Sequence, residues 1–282
     1  MRAYSDFADV YDELMDNVPY AAWCENIAAL IEEYGISRPV DGDGAGQEEP
    51  CGEEALLKSE RNLVLDLGCG TGTLTRLLHR KGYDMIGVDN SPEMLRIAME
   101  KNAEGGSGVL YLLQDMRELE LYSTVGTVLS VCDCLNYLLE EEELLRVFRL
   151  VNNYLYPGGL FLFDFNTIYK YSQVIGDTVI AENREDCSFI WENYYHEQEE
   201  INEYDLTVFV QEEGERFRRF TENHFQRGYT PDTMCRLVEQ AGMRVIRLLD
   251  ADTMDEVTDV SQRIYVLAQE QGKPLQQEVA AL

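Results

Sequence analysis

The chain has 282 residues, enough for one large domain or for one domain carrying a smaller insert. Its 45% hydrophobic content supports a sizeable core, but the longest apolar runs, such as residues 125–131, are far too short to cross a bilayer. A net charge of −30 argues against nucleic acid, whose binding depends on Lys and Arg neutralising phosphates; the one basic group, Arg216, Arg218 and Arg219 with Arg227 nearby, is small.

The opening MRAYSDFADVYDELM has no apolar core and carries acids early, so no secretory signal is expected and the cytoplasm is the expected compartment. Seven cysteines without repeated spacing and three histidines do not form a zinc pattern. Reduced, mostly buried thiols and no metal are expected.

Residues 18–34 are predicted to form a helix, with Asn17 as cap, Pro19 in the first turn and Tyr20, Trp23, Ile27, Leu30, Ile31 and Tyr34 at helical spacing. Residues 36–61 contain DGDGAGQEEPCGEE and are expected to be a surface loop. From residue 62 the pattern changes. Short apolar strands at 63–67, 85–89, 109–113, 125–132 and 160–165 alternate with helices at 71–80, after Ser91-Pro92, and at 140–154. Three antiparallel strands are expected at 189–196, 201–211 and 215–226, the last two joined by Glu212-Glu213-Gly214. A helix capped by Thr230 and strands at 243–249 and 264–268 complete the main sheet, before a polar tail from Gln269 that should fray. The expected fold is α/β: a doubly wound, mainly parallel, seven-stranded Rossmann-like sheet with an inserted antiparallel β-subdomain. The expected organisation is residues 1–168, an insert at 169–228, and a return to the main domain at 229–282.

The loop Leu65-Asp66-Leu67-Gly68-Cys69-Gly70-Thr71-Gly72 follows the first main-sheet strand, where open α/β sheets bind ligands. Its spacing is Gly-x-Gly-x-Gly, not the Gly-x-Gly-x-x-Gly of dinucleotide binders. Asp66 inside the loop would repel a pyrophosphate but favour an ammonium. The ligand should carry a positive group and no phosphate, which fits S-adenosylmethionine. Asp89, ending the second strand, can accept both ribose hydroxyls, and Asp115, after the third, can accept from an adenine amino group.

VLDLGCGTGTLT, GVDNSPEML, LLQDM and LYPGGLFLFDFNT resemble the successive motifs of class I methyltransferases. The N-terminal YSDFADVYDELM and the β-insert resemble a narrower group, the YqeM-like bacterial methyltransferases, similar to glycine N-methyltransferase and sugar N,N-dimethyltransferases. The resemblance implies that Asp66, Gly68 and Gly70 surround the methionine part of the cofactor, and Cys69 between them is a further cofactor-binding candidate. It implies that Asp89 and Asn90 hold the ribose, that Met94 lies beneath the adenine, and that Asp115 and Met116 meet its edge. Asp133 would lie under the methionine moiety, and Tyr11 and Trp23 would close over the whole.

Methyl transfer requires a positioned acceptor rather than a protein nucleophile. The segment CDCLNY after the fourth strand should floor the acceptor site; it lacks the Asn/Asp-Pro-Pro-aromatic sequence of DNA and many protein or RNA amino-methyltransferases. With the charge, this points to N- or O-methylation of a small molecule. His224 and Tyr137 are the candidates for a general base, and Asn136 and Arg227 for acceptor binding. The insert is expected to serve either as a lid or as a dimer interface. Competing readings are an RNA or protein methyltransferase, and a nucleotide-binding protein without transferase activity.

Overall fold

The computed structural model describes residues 7–40, 53–212 and 214–273. Two helices, α1 (Ala8–Leu14) and α2 (Tyr20–Tyr34), precede the main sheet, and α3 (Glu53–Asn62) leads directly into β1 (Leu63–Leu67). There follow α4 (Thr73–Arg80), β2 (Asp84–Asp89), α5 (Pro92–Gly105), β3 (Leu110–Leu113), β4 (Val125–Ser130), α6 (Glu141–Tyr154) and β5 (Leu155–Asn166). After a second sheet, β6 (Val179–Asn183), β7 (Cys187–His196), β8 (Ile201–Gln211) and β9 (Phe217–Arg227), the chain returns through α7 (Pro231–Gln240), β10 (Met243–Asp250) and β11 (Arg263–Glu270).

The main sheet has seven strands in the order β10-β11-β5-β4-β1-β2-β3, parallel except for β11, which runs antiparallel to β5 and β10. Chain order reverses between β1 and β4, the switch point at which doubly wound sheets open a crevice. Apolar side chains on both faces of β1, β4 and β5 demand cover on both sides. Helices α6 and α7 supply it on one face through Leu144, Phe148 and Leu237; α2 and α4 supply it on the other through Ile27, Ile31 and Leu78. Ile27 is fully buried, so Ile27→Ala would cost about 2–5 kcal/mol through lost burial and the cavity left behind.

Several local expectations change. The α2 helix starts at Tyr20, because Pro19 has a non-helical backbone (ψ 56°) and its carbonyl takes the Trp23 N–H; Asn17 is not the cap. Residues 53–62 are helix rather than loop, while 41–52 lie outside the described residues. The carbonyl of Arg61, near the end of α3, sits where a side chain at Gly126 would project, so only glycine allows this helix to approach β4. Strand β5 begins at Leu155 and carries Pro157-Gly158-Gly159 as an irregular start, visible as a register shift against β4. The insert has four strands, in the order β6-β7-β8-β9, preceded by a π-helical turn, Lys170–Ile175. Of its β8–β9 turn, Glu213 lies outside the described residues, as does the tail beyond residue 273. Among the described residues no helix is long and apolar enough to cross a membrane.

Helix α1 lies between the two sheets. Phe7, Val10 and Leu14 pack against Tyr204, Leu206 and Val208 on the inner face of the insert. On its other side Asp12 accepts from the Thr71 and Thr73 hydroxyls at 2.6 and 3.1 Å and pairs with Lys101. The segment is therefore an amphipathic bridge, apolar toward the insert and acidic toward the glycine loop.

Candidate active site

Strands β1, β2 and β3 end along one edge of the main sheet, bordering a cleft of about 580 Å³. The glycine loop turns there through three left-handed residues, Gly68 (φ 87°), Gly70 (φ 53°) and Gly72 (φ 71°). A Cβ on Gly68 would stand 2.6 Å from the Cys134 sulfur, so the position needs glycine for space as well as conformation. At Gly70 nothing lies within 4 Å of that direction, and the bare backbone faces open space where a ligand can approach.

Asp66 borders the cleft but is almost wholly buried, with one oxygen accepting from Thr75 Oγ1 at 2.6 Å. Burial dominates its electrostatics and pushes the carboxyl up to about 6. Asp89 accepts one backbone N–H on each oxygen, from Gly70 at 2.9 Å and Ser91 at 2.8 Å. A carboxylate offers about four lone pairs, so acceptor capacity remains on the cleft side. Burial raises its carboxyl, and the backbone N–H groups oppose the shift. Ser91 caps α5 by accepting from Met94 N at 3.1 Å, which places Asn90 and the buried Met94 along the same wall.

Asp115 also lines the cleft, beside Met116. Its carboxylate is forked onto Arg117 and accepts the Arg117 N–H at 2.9 Å, and the guanidinium holds it below the usual carboxylate range. Arg117 continues to Glu143 at 2.7 Å. Asp115 is thus both the cap of a short 3-10 turn and a cleft residue.

After β4 the backbone takes two consecutive left-handed residues that are not glycine, Cys132 (φ 68°) and Asp133 (φ 52°). Such positions cost about 1–3 kcal/mol each and need external support. Asp164 of β5 supplies it: its two oxygens accept the Cys132 and Asp133 N–H groups at 3.0 and 2.8 Å. Its charge faces Arg263 at 3.7 Å, and that guanidinium lies 4.1 Å above the Trp23 ring. Beyond the turn, the 3-10 helix Cys134–Tyr137 brings Cys134 and Tyr137 to the cleft.

The structure divides the sequence candidates. Tyr11, Asp66, Gly68, Cys69, Gly70, Asp89, Asn90, Met94, Asp115, Met116 and Tyr137 all line the cleft. Trp23 does not; it packs in the core under Arg263, and Tyr20, on the preceding turn of α2, reaches the cleft instead. Asp133 points away from it, accepting from Gln226 Nε2. Asn136 is fully buried and bound to main chain: it donates to the carbonyls of Asn166 and Arg227 and accepts the Asn166 N–H. Arg227 donates to the Leu139 carbonyl and pairs with Glu200 at 3.3 Å, outside the cleft wall. Neither Asn136 nor Arg227 lines the cleft. His224 lies behind Tyr137, its Nδ1 3.0 Å from the Tyr137 hydroxyl, stacked on Tyr204 and beside Glu222.

Sequence reasoning missed Asp12, Tyr20, Asp164, Tyr204 and Glu222. Asp164 did carry a signal, an acid inside the apolar run LFLFDFN of a central strand, where a charge needs partners. Glu222 and His224 share one face of β9 at a spacing of two, but only the fold shows which face is buried.

Residues 64–159 match the family described as a methyltransferase domain. YqeM of Bacillus subtilis (strain 168), a protein assigned to the methyltransferases, is 32% identical over 267 residues, covering 94% of this chain and 96% of its own length. A methyltransferase-family protein of Geobacillus sp. (strain WCH70) is 32% identical over 266 residues, covering 94% of this chain and 98% of its own. The crystal structure of a S-adenosylmethionine-dependent methyltransferase from Clostridium acetobutylicum ATCC 824 superposes with a TM-score of 0.79 at 27% identity, covering 96% of this chain and all of that one. The likeness to YqeM runs through both the main sheet and the insert, and the chain belongs to the YqeM-like family of S-adenosylmethionine-dependent methyltransferases.

Proposed function

We propose that this enzyme methylates a small-molecule acceptor, with the cofactor along the β1–β3 edge and the acceptor between Cys132, Cys134, Tyr137 and the N-terminal tyrosines. The observation that carries the reading is the roofed cleft. Its volume of about 580 Å³ lies within the ~300–1,000 Å³ of small-molecule pockets, and α1, tied to the glycine loop on one side and to the insert on the other, covers it. A net charge of −30 also disfavours nucleic acid. Within this reading the insert acts as the lid's anchor rather than as a separate binding module.

S-adenosylmethionine supplies an electrophilic methyl group on a sulfonium, displaced in line by the acceptor's lone pair. The chain's own residues bind and orient. Asp66, Gly68, Cys69 and Gly70 face the methionine part, where a carboxylate favours its ammonium group. Asp89 and Asn90 would take the ribose hydroxyls, Met94 would support the adenine, and Asp115 and Met116 would meet its edge. Tyr11 and Tyr20 exclude water from the acceptor side. Tyr137, backed by His224, is the candidate base.

Titration calorimetry should detect S-adenosylmethionine and S-adenosylhomocysteine, both should raise Tm, and NAD should do neither. Label from methyl-tritiated S-adenosylmethionine should enter the small-molecule fraction of a cell extract. Label entering only protein or RNA would overturn the small-molecule reading.

A further inference from the structure

Resting on that reading, we infer that the acceptor nitrogen is a protonated amine, and that Glu222, His224 and Tyr137 form a buried relay that removes its proton. The three groups run inward from the cleft. Tyr137 lines the cleft, and its hydroxyl is 3.0 Å from His224 Nδ1 and 2.9 Å from the Tyr204 hydroxyl. His224 Nε2 is 3.4 Å from Glu222 Oε2, and both side chains are 1% exposed. The other Glu222 oxygen accepts the Phe7 N–H at 3.2 Å, fixing the carboxylate from the α1 side.

A carboxylate beside Nε2 selects the tautomer with its proton on Nε2. A neutral imidazole carries one N–H, so Nδ1 accepts from Tyr137, and Tyr137 in turn accepts from Tyr204. Burial raises the Tyr204 phenol and keeps it a neutral donor. The titratable groups around Tyr204 also include Asp133, Tyr171 and the Cys132 thiol, which burial pushes up, and Tyr11 faces Cys132 from α1. With the Nε2 proton turned toward Glu222, Nδ1 is the ring position left to take a proton from Tyr137.

An amine depends on such a device most strictly, because it cannot react until a proton has left, whereas a hydroxyl can shed its proton during or after transfer. At neutral pH it arrives as an ammonium without a lone pair, whereas a hydroxyl already has one. In the step, an N–H bond of the ammonium breaks and its proton goes to the Tyr137 oxygen, as the Tyr137 proton moves to His224 Nδ1. The imidazolium is stabilised by Glu222. The freed lone pair forms the N–C bond while the C–S bond breaks, and the relay returns its proton to water when the product leaves.

Glu222 is a positioning residue here, and its test is a pH profile. The probe is the cation-exchange-retained fraction of a small-molecule cell extract, with methyl-tritiated S-adenosylmethionine. The label should enter this fraction rather than the neutral or acidic ones. Glu222→Gln should lower incorporation about 10–100-fold, the range of general-base catalysis, and move the acidic limb of the profile to lower pH by about one unit. Glu222→Asp should restore part of both, and Tyr137→Phe should match the loss. Calorimetric affinity for S-adenosylmethionine should stay within about threefold in all three variants, which separates the relay from folding. If Glu222→Gln does not fold, a nitrogen-15 NMR spectrum of the wild type decides instead: with three histidines in the chain, His224 is identified by loss of its signal in His224→Asn, and it should be protonated at Nε2 only. Label in neutral or acidic products, an unshifted limb in Glu222→Gln, or a His224 protonated at Nδ1 in the resting enzyme would overturn the relay and leave the methyltransferase reading standing. Absence of cofactor binding, or label in macromolecules alone, would overturn both.

Discussion

The two halves of the cleft are held by different means. Along the cofactor half, each key group is placed by its own strand end: Asp66 by β1, Asp89 by β2 and the Gly70 N–H beside it, Asp115 by the turn after β3. Partners there are close in sequence, 19 positions for Gly70–Asp89 and 9 for Asp66–Thr75. The other end, around Tyr137, is held by distant pieces behind the cleft wall. Tyr137 meets His224 across 87 positions, Asn136 meets Arg227 across 91, and Asp133 meets Gln226 across 93. A half built from local turns forms whenever the sheet forms, whereas a half built from long-range side-chain bonds forms only when the insert has docked.

If this division holds, damage to one half should leave the other measurable. The largest effect is expected at Asp164, whose removal leaves the buried Arg263 with only the more distant Asp252, at 4.0 Å, and two left-handed N–H groups without their acceptor. Asp164→Ala should lose about 3–5 kcal/mol of stability in chemical denaturation, while affinity for S-adenosylmethionine, measured below the transition, falls less than about threefold. A collapse of cofactor affinity would merge the two halves.

Asp89→Ala is the converse test. If Asp89 holds the ribose as proposed, its loss should weaken cofactor binding by at least about tenfold in calorimetry, without disturbing the Tyr137–His224 hydrogen bond as read from the His224 nitrogen-15 shifts. Unchanged affinity would remove Asp89 from the ribose site.

The smallest expected effect is a pH dependence. In the ligand-free cleft the Asp66 carboxyl titrates at about 6, above the usual 3.8, because burial penalises its charge. A cofactor ammonium favours the ionised form, so below about pH 6 binding must expel a proton. Affinity should be level above that value and fall toward tenfold per unit below it. Asp66→Asn should flatten the profile, and a wild-type profile already flat from pH 5 to 7 would separate Asp66 from the ammonium.

Much of the main sheet was legible because its signals are local. Apolar pentads followed by glycine and acid, and the Ser91-Pro92 and Thr230-Pro231 caps, fall at the boundaries observed, within a few residues. Helix α3 was not legible, because EEALLKSERN has little apolar face and is secured by the close approach to Gly126 and by Thr124 donating to Glu60. The insert's antiparallel strands could be recognised, but β6, exposed along most of its length, has no burial pattern to mark it.

By itself the sequence marked the residues that line the cleft along the β1–β3 edge, since glycines with positive φ and acids at strand ends act through backbone groups a few residues away. Tertiary structure alone decided that Trp23 is core and Tyr20 faces the cleft, that Asn136 and Arg227 are bound to carbonyls, and that a glutamate stands behind His224. Those outcomes depend on how an insert some 60 residues long folds back onto the end of β4. A hydrogen bond across that distance leaves no periodicity or spacing in the chain from which to read it.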